Sequence, residues 1–596
     1  MCGVVGYIGH RQAQANLLES LARLEYRGYD SCGIAVLDGS IRVLKDVVRV
    51  ADLAATSEPL EGTSGIGHTR WATCGEPNQA NAHPHYDCTR NIAVVHNGTI
   101  NNHQQIKARL LAGGHTFSSD TDTEVISHLI EENYQGDLAS AVRATLNQID
   151  GSYAIAVIHH KEQDKLVVAR CGSPLIIGLG EGENWVASDV PAILDYTKKV
   201  IFMEENELAV ITRQGVRLWR DGREISPEIK EVEWTAIQAQ KGGHEHFMIK
   251  EIREQPRIIR ESNSVLAHSG GSDPGLIEIL SSNPPPTILL LACGTSYHAG
   301  LIAKYLIQEL LGLSVHIEIA SEFNYQRHRI SEDLGIIITQ SGETADALIA
   351  MRSLRKEGMK LLVITNVPGC SASRLADETW YTRAGPEISV AATKSFTAQL
   401  KVIYGLLLSS SRLDRRDRDR LTGAFRHLPS NIQQIIDNHQ DIQSCGKYLA
   451  GYNNVIFIGR GLNYPIALEG ALKLKEISYI HAEGCAGGEL KHGPLALLSA
   501  ETPVVVILSR DATYEAMLNT IREIKVRGAP VIAITPARES DIDNLVDRVI
   551  HIPEVENLVS PMLNAVALQL LAYYTALERG CPIDMPRNLA KSVTVE

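Results

Sequence analysis

The residues best suited to bond-breaking chemistry begin at the second position. In Met1-Cys2-Gly3 an initiator methionine of the kind readily trimmed precedes a small side chain, and its removal leaves Cys2 with a thiol and an α-amine on one carbon. The amine titrates near ~8 and a thiol near ~8.5, so the amine, directly or through a water, draws the thiol proton and one residue supplies nucleophile and base. The plainer reading makes Cys2 a small residue opening the apolar strand Val4 to Ile8. Gly67-His68-Thr69-Arg70-Trp71-Ala72-Thr73 offers an arginine whose planar fork clamps a carboxylate with two hydrogen bonds. Asn97-Gly98 offers a side-chain amide and a backbone N–H, the two donors an oxyanion hole needs. In Ser119-Asp120-Thr121-Asp122-Thr123-Glu124 an acid at a helix start is normally a cap, but Asp122 is also suited to hold an ammonium group. Thiolate, carboxylate clamp, oxyanion hole and ammonium acceptor together complement free glutamine attacked at its side-chain amide.

The second half carries a different pattern. Thr339-Gln340-Ser341-Gly342-Glu343-Thr344 ends a strand and enters a helix, so hydroxyls and free N–H groups converge where phosphates bind. Plain N-capping by Ser341 or Thr344 accounts for the same spacing. A third grouping, Cys74, His83, His85 and Cys88, has ligand types suited to zinc, but the second cysteine lacks a near partner of its own kind and no metal site is assigned.

Two scaffolds must position these residues. From Val4 to about residue 233 strands dominate: Ser31 to Leu37 and Ile41 to Leu44 flank the hairpin signal Asp38-Gly39, Asn91 to Val95 runs into His96-Asn97-Gly98, and Asp122 to Asn133 reads as an amphipathic helix. This predicts an α+β domain on antiparallel sheet, with its candidates at strand ends and loops. Gln238 to Phe247 reads as a linker, a helical stretch follows, and Asn283-Pro284-Pro285-Pro286 opens the next unit. From Thr287 short apolar strands alternate with helices, the pattern of a parallel sheet covered on both faces. That pattern repeats: Thr287 to Ala292 with Val455 to Ile458, Gly335 to Thr339 with Val504 to Leu508, and Leu361 to Thr365 with Val531 to Thr535 make the second half two copies of one α/β domain. The second copy has Ser509-Arg510-Asp511-Ala512-Thr513 at the anion-site position, where an aspartate opposes phosphate. The alternating Asp and Arg run from Arg412 to Arg420 reads as a solvated helix face.

With 596 residues, 44% hydrophobic and 21% charged, the composition is that of an ordinary globular chain of several domains. A net charge of −13 argues against nucleic acid or an anionic membrane as the principal partner. No apolar run is expected to approach the ~18 residues of a membrane span, and no basic-then-apolar leader precedes the first strand. The ten cysteines are scattered without CxxC pairs, as reduced thiols of a cytoplasmic protein are.

MCGVVGYIG, LEYRGYDSCGIAV, GHTRWAT, NAHPH, VVHNG and SDTDTEVI resemble the class II glutamine amidotransferase domain of the N-terminal-nucleophile (Ntn) fold. The resemblance implies Cys2 as nucleophile, Asn97 and Gly98 as oxyanion hole, and Arg70, Trp71, Thr73 and Asp122 around glutamine, with Trp71 gating ammonia. The family usually has histidine where this chain has Cys74. CGTS, TQSGET, ISVAATKSFT, GRGLNYPIALEGALKLKEISYIHAE, GGELKHGPLAL and PRNLAKSVTVE resemble the sugar isomerase (SIS) domains of the glucosamine-6-phosphate synthase family. This implies Thr295, Ser296, Gln340, Ser341 and Thr344 on the sugar phosphate, with the segment from Val390 lining the sugar. Ala392 stands where that family usually has serine, so a side-chain sugar contact is lost. Isomerase chemistry needs a proton-moving base, a group to open the ring and an amine to trap a ketone, and Glu476, tuned by Lys473, His492 and Lys591 fit these needs.

The expected organisation is therefore an α+β Ntn amidotransferase domain (1–237), a linker and connecting helix (238–283), two α/β SIS domains with parallel sheets (284–425 and 426–580) and an active-site tail (581–596). The implied reaction moves the amide nitrogen of glutamine to fructose 6-phosphate without metal or organic cofactor, in a homodimer that lends His492 between subunits. Two rivals stay open: a deglycase or glutaminase acting on another phosphosugar, and a non-enzymatic sugar-phosphate sensor. The sensor has no use for a glutamine pocket or for Glu476, His492 and Lys591.

Overall fold

The computed structural model describes residues 2–261, 279–282, 286–326, 333–536 and 540–594. Met1 and most of the proline run at 283–286 lie outside the described residues.

In the N-terminal half two antiparallel sheets lie face to face. Eight strands form the first, with Gly3–Ile8 near its centre between Ser64–Arg70 and Asn184–Ala187. Seven form the second, in which Ile92–Ile100 pairs with Gly151–His159. Alternation of side chains gives each sheet an inner face, and Val4, Ile8, Ile66, Val95, Ala154 and Val168 fill the space between them. Helix Ala13–Ala22 covers the outside of the first sheet through Leu17 and Leu21. Helices Glu124–Asn133 and Leu138–Leu146 cover the outside of the second. The result is a four-layer helix–sheet–sheet–helix sandwich.

The register places Gly3 opposite Thr69 and Ser31 opposite Arg70, so Cys2 enters the first sheet at the edge where Arg70 leaves it. The strand expected over Asn91 to Val95 continues to Ile100, so Asn97 and Gly98 lie inside it, paired with Ala154 and Tyr153. Gly98 sits at φ +130, and a Cβ there would approach the Ser152 carbonyl oxygen to 2.0 Å, so glycine is required. The expected helix from Asp122 begins at Glu124, which frees the Asp122 side chain from the helix proper.

The C-terminal half contains two five-stranded parallel sheets of one topology. In the first, Thr287–Ala292 lies between Ser314–Ile319 and Leu334–Ile338, with Lys360–Thr365 and Glu378–Tyr381 beyond. In the second, Asn454–Gly459 lies between His481–Ala486 and Val504–Ile507, followed by Val531–Thr535 and Arg548–His551. The repeat seen in sequence is thus a structural duplication. One buried cluster spans both copies and includes Leu290, Ile336, Phe396, Phe457, Leu474, Leu568 and Ile532. Helix Arg415–Asp437 runs straight through the 425/426 division.

One segment departs from the expectation about apolar runs. Asn557–Glu578 is long and apolar enough to cross a membrane, because Ser560 to Leu577 contains no charged residue. Its apolar stretch is buried from Leu558 to Ala576, and it serves as a core helix for both copies. Gly470 lets it approach helix Asn463–Ser478, for a Cβ at Gly470 would meet Leu568 Cδ1 at 2.8 Å. Leu568→Ala is therefore expected to lower the stability of this half by about 2–5 kcal/mol in urea unfolding, through the cavity it leaves. Val526→Ala, at a position 84% exposed, is expected to change it by less than ~0.5 kcal/mol.

Candidate active site

Cys2 is held in a shell of backbone and amide groups. Its Sγ accepts a hydrogen bond from the Trp71 N–H at 3.2 Å. Its carbonyl accepts from Asn97 Nδ2 at 2.9 Å and Arg27 Nε at 3.3 Å. His68 Nε2 lies 3.1 Å from Asn97 Oδ1 and 2.9 Å from the His96 carbonyl, so its proton fixes which end of the Asn97 amide faces Cys2. Burial pushes the Cys2 thiol up from its ordinary value, against the Trp71 N–H and the guanidinium groups of Arg70 and Arg27. A resting neutral thiol needs a base before it can attack.

Arg70 is 3% exposed, and its guanidinium is shaped by the turn that follows it. It donates to the carbonyls of Cys74 at 2.5 Å, Gly75 at 2.8 Å and Glu76 at 3.4 Å. Cys2 and Asp122 both fall within its electrostatic reach. Asp122 is nearly buried and accepts from the Ile100 N–H at 2.8 Å through Oδ2. Trp71 is half-buried, edge-on to Tyr29 with ring centroids 5.7 Å apart, and Thr73 is exposed. Cys74 Sγ donates toward the Asp120 carbonyl at 3.6 Å, which ties the 74–76 turn to the loop carrying Asp122.

The second site is a cavity of about 300 Å³ lined by Thr295, Ser296, Gln340, Ser341, Thr344, Val390, Lys473, Glu476 and Lys591. Two helix starts meet there, Gly294–Leu311 and Ala345–Lys356, and both present N–H groups and positive dipole ends. Ser296 Oγ accepts from Gln399 Nε2 at 2.9 Å and Ser341 Oγ accepts from the Glu343 N–H at 3.1 Å, so each hydroxyl keeps its proton for an incoming anion. Gly342 sits at φ +68, and a Cβ there would meet Cys370 Sγ at 2.1 Å. Thr295 is engaged differently: its hydroxyl donates to Glu469 Oε1 and accepts from Lys473 Nζ, both at 3.1 Å.

Lys473 and Glu469 are each 1% exposed, and Glu476 Oε2 lies 2.7 Å from Lys473 Nζ. Burial alone lowers the Lys473 ammonium pKa, but the two carboxylates outweigh it and hold it above its ordinary value. Lys591 Nζ lies 2.5 Å from Glu387 Oε2, with side chains 4% and 0% exposed. Glu387 also accepts from the N–H groups of Thr393 and Ser395 at 3.0 Å and from Ser395 Oγ at 2.7 Å. Burial raises this carboxyl, yet Lys591 and those donors prevail and hold it at about 2.

The tail joins the two sites. Val593 O accepts from the Ala345 N–H at 3.0 Å, Lys591 N donates to Tyr26 O at 3.3 Å, and Tyr29 Oη donates to Pro586 O at 2.7 Å. Asp584 O accepts from the Val390 N–H at 3.0 Å, while its carboxylate receives the Phe247 and Met248 N–H groups. Ala392 lines the cavity, so its missing hydroxyl leaves an apolar wall.

His492 does not join this set. It is exposed on the turn Glu489–His492 and does not line the cavity of its own chain. Nor do Cys74, His83, His85 and Cys88 converge. His83 stacks on His68 at 4.0 Å, His85 Nε2 faces Thr121 Oγ1 at 3.1 Å, and Cys88 faces His115 and His128. Sequence reasoning passed over Arg27, His68, Glu387 and Glu469, whose partners lie 25 to 204 residues away and leave no local spacing to read.

A glutamine-type Ntn sandwich joined through a tail to a duplicated phosphosugar-type α/β half defines an amidotransferase. Comparison with known proteins agrees. The glutamine amidotransferase domain model matches residues 56–243, and the SIS domain model matches twice, at 282–409 and 448–579. The glutamine--fructose-6-phosphate aminotransferases [isomerizing] of Caldanaerobacter subterraneus subsp. tengcongensis and Methanosarcina acetivorans are 46% and 47% identical to it, each over the whole of both chains. The C-terminal domain of the glucosamine-fructose-6-phosphate aminotransferase from Francisella tularensis superposes with a TM-score of 0.54 at 35% identity, covering 58% of this chain and all of that one. The chain belongs to the glutamine–fructose-6-phosphate aminotransferase (isomerising) family.

Glu251 beside this site gives a pH test. Its Oε1 accepts from the Ile388 N–H at 2.6 Å, and burial, reinforced by the Glu387 charge, pushes its carboxyl from 4.5 up to about 8. With the folded pKa above the unfolded one, its stabilisation is complete below the unfolded value and is lost as pH rises through about 8. Glu251→Gln keeps the acceptor and cannot ionise. Its Tm relative to the parent chain is expected to rise steadily between about pH 5 and pH 8, measured by differential scanning fluorimetry, and a pH-independent difference is the contrary result.

Proposed function

We propose that this chain transfers the amide nitrogen of L-glutamine to D-fructose 6-phosphate and isomerises the product to D-glucosamine 6-phosphate, releasing L-glutamate. The observation that carries the reading is the tail: one strip of chain lines the anion cavity with Lys591 and hydrogen-bonds to Tyr26 and Tyr29 of the Cys2 domain. We assign glutamine hydrolysis to residues 1–237, the connection to 238–283, sugar chemistry to 284–425 and 426–580, and the bridge to 581–596.

In this reading the Cys2 thiolate, formed once Met1 is removed and the α-amine is free, attacks the glutamine side-chain carbonyl. Asn97 and Gly98 stabilise the oxyanion, which requires the Asn97 amide to leave the Cys2 carbonyl for the substrate. Arg70 and Asp122 take the substrate's carboxylate and ammonium, with Trp71 and Thr73 at the rim. Ammonia departs, and water frees glutamate from the thioester. At the other site Thr295, Ser296, Gln340, Ser341 and Thr344 hold the phosphate end and Val390 the sugar. His492 opens the ring. Lys591, released from Glu387, condenses with C2 as a Schiff base. Ammonia displaces the lysine, and Glu476, poised by Lys473, carries a C1 proton to C2.

We further propose a cytoplasmic homodimer in which His492 of one subunit completes the cavity of the other. Its exposure on a turn followed by exposed Leu497 supports this arrangement, as do ten free thiols for a reducing compartment.

The direct test is incubation of the full chain with glutamine and fructose 6-phosphate, assayed for equal amounts of glucosamine 6-phosphate and glutamate. Glutamate release that ignores fructose 6-phosphate points to a glutaminase on another sugar. Cys2→Ala is expected to abolish glutamine-dependent synthesis while sparing ketose–aldose isomerisation or synthesis from high free ammonia. Loss of both refutes the division between halves. Mixing Glu476→Gln and His492→Ala chains is expected to restore roughly a quarter of native activity, because half the dimers are mixed and each keeps one intact site. No recovery despite demonstrated subunit exchange assigns His492 to its own chain.

A further inference from the structure

On the outer face of the amidotransferase domain, three segments bring four ligand-type side chains to one point. Cys88 comes from the loop before strand Ile92–Ile100, His115 from the loop after helix His103–Ala112, and His128 and Glu131 from successive turns of helix Glu124–Asn133. Their ligand atoms all lie within 4.8 Å of one another. Cys88 Sγ is 3.4 Å from both His115 Nδ1 and His128 Nδ1, and Glu131 Oε2 is 3.2 Å from the first and 3.4 Å from the second. With zinc bonds of about 2.3 Å to sulfur and about 2.0–2.2 Å to nitrogen or oxygen, the edges of a tetrahedral site are roughly 3.3–3.6 Å. Four of the six distances, at 3.2–3.4 Å, are already close to those edges, and the other two are within 4.8 Å.

His128 Nε2 is buried without a hydrogen-bond partner and has Glu124 Oε1 3.7 Å away; His115 Nε2 has Glu132 Oε1 3.6 Å away. Each imidazole thus presents Nδ1 to the cluster and has a carboxylate beyond Nε2, the placement that an outer-shell carboxylate takes behind a metal-binding histidine. Two imidazole nitrogens, a carboxylate oxygen and a sulfur that face one point need protons or a cation between them.

We propose that Cys88, His115, His128 and Glu131 form a structural zinc site. One thiolate with two imidazoles selects zinc over magnesium or calcium, and four protein ligands leave no open position for catalysis. The ion pins the 113–123 loop to the Cys88 loop. That loop carries Asp122, and Glu124 at its end is braced by the N–H and hydroxyl groups of Ser118 and Ser119 at 2.6–2.8 Å. The site thus sets the loop on which the glutamine-side acid is mounted, and it rests on this geometry alone, whatever the reaction proves to be.

The test is metal analysis of the full chain expressed with zinc and purified without chelator. About one zinc per chain, retained through dialysis, is expected, and it is lost in Cys88→Ser and His115→Ala but kept in Cys74→Ser. Chelator-stripped protein reloaded with cobalt(II) should show tetrahedral d–d bands and a thiolate charge-transfer band that Cys88→Ser removes. Glu124→Gln, which leaves all four ligands, should weaken zinc binding by roughly 10- to 100-fold. Should Cys88→Ser fail to fold, Glu131→Gln serves in its place. Protein that binds neither zinc nor cobalt, or whose stoichiometry is unchanged in these variants, overturns the site and leaves the four side chains held by protons.

Discussion

The contact on which most of the C-terminal architecture turns is the ion pair between Lys591 and Glu387. Two charges at 4% and 0% exposure are costly to bury, and such a pair persists only when further donors satisfy it. Here they do: Glu387 takes two backbone N–H groups and a hydroxyl as well. Those donors come from the start of helix Lys394–Ser409, whose Phe396 and Leu400 lie in the core shared by both copies. The pair thereby fastens a polar terminus, ordinarily the most disposable part of a chain, to a helix of the shared core. Glu251 beside it is pushed toward neutrality, as a second buried carboxyl near an already charged one is.

The two SIS copies share a topology but have diverged at the equivalent turn. In the first, Ser341 keeps its hydroxyl proton for the cavity that Thr344 also lines. In the second, Asp511 receives both the Thr513 N–H at 2.7 Å and its hydroxyl at 2.6 Å, so the helix start at Tyr514–Val526 is satisfied internally and carries a negative charge where phosphate would sit. The second copy supplies helix Asn463–Ser478 instead, whose Glu469 and Lys473 reach across to Thr295 and His298 of the first, with Glu476 paired to Lys473. Duplication gave one cavity with an anion-holding wall from one copy and an acid–base wall from the other.

What the sequence made legible follows from how local each signal is. Strand alternation, the Asp38-Gly39 hairpin and the offset between copies are short-range and periodic, and the sheets follow them. Ser341 and Thr344 were legible because a strand–turn–helix step is a local motif. Arg27, Glu387 and Glu469 were not, since their meaning depends on partners that only the tertiary fold supplies. Residues 88, 115, 128 and 131 show the same limit from the other side. The sequence contains all four residues, but proximity along the chain pointed to Cys74, His83 and His85 with Cys88, and the first three face Asp120, His68 and Thr121 instead. The burial of Asn557–Glu578 was likewise invisible: composition alone cannot tell a helix surrounded by protein from one surrounded by lipid.

The geometry also connects the two sites. From Ala345 at the anion cavity an unbroken series of contacts runs through Val593 O, Lys591 N to Tyr26 O, Pro586 O to Tyr29 Oη, the Tyr29 and Trp71 rings, and the Trp71 N–H to Cys2 Sγ. The links are directional hydrogen bonds and a ring contact, joined by stretches of the tail itself. The strip that lines the anion cavity therefore also packs, through Tyr29 and Trp71, toward Cys2. Cys2 is burdened by desolvation and depends on the Trp71 N–H among the groups that favour its thiolate, so its readiness to ionise is set partly by a residue that meets the tail through Tyr29.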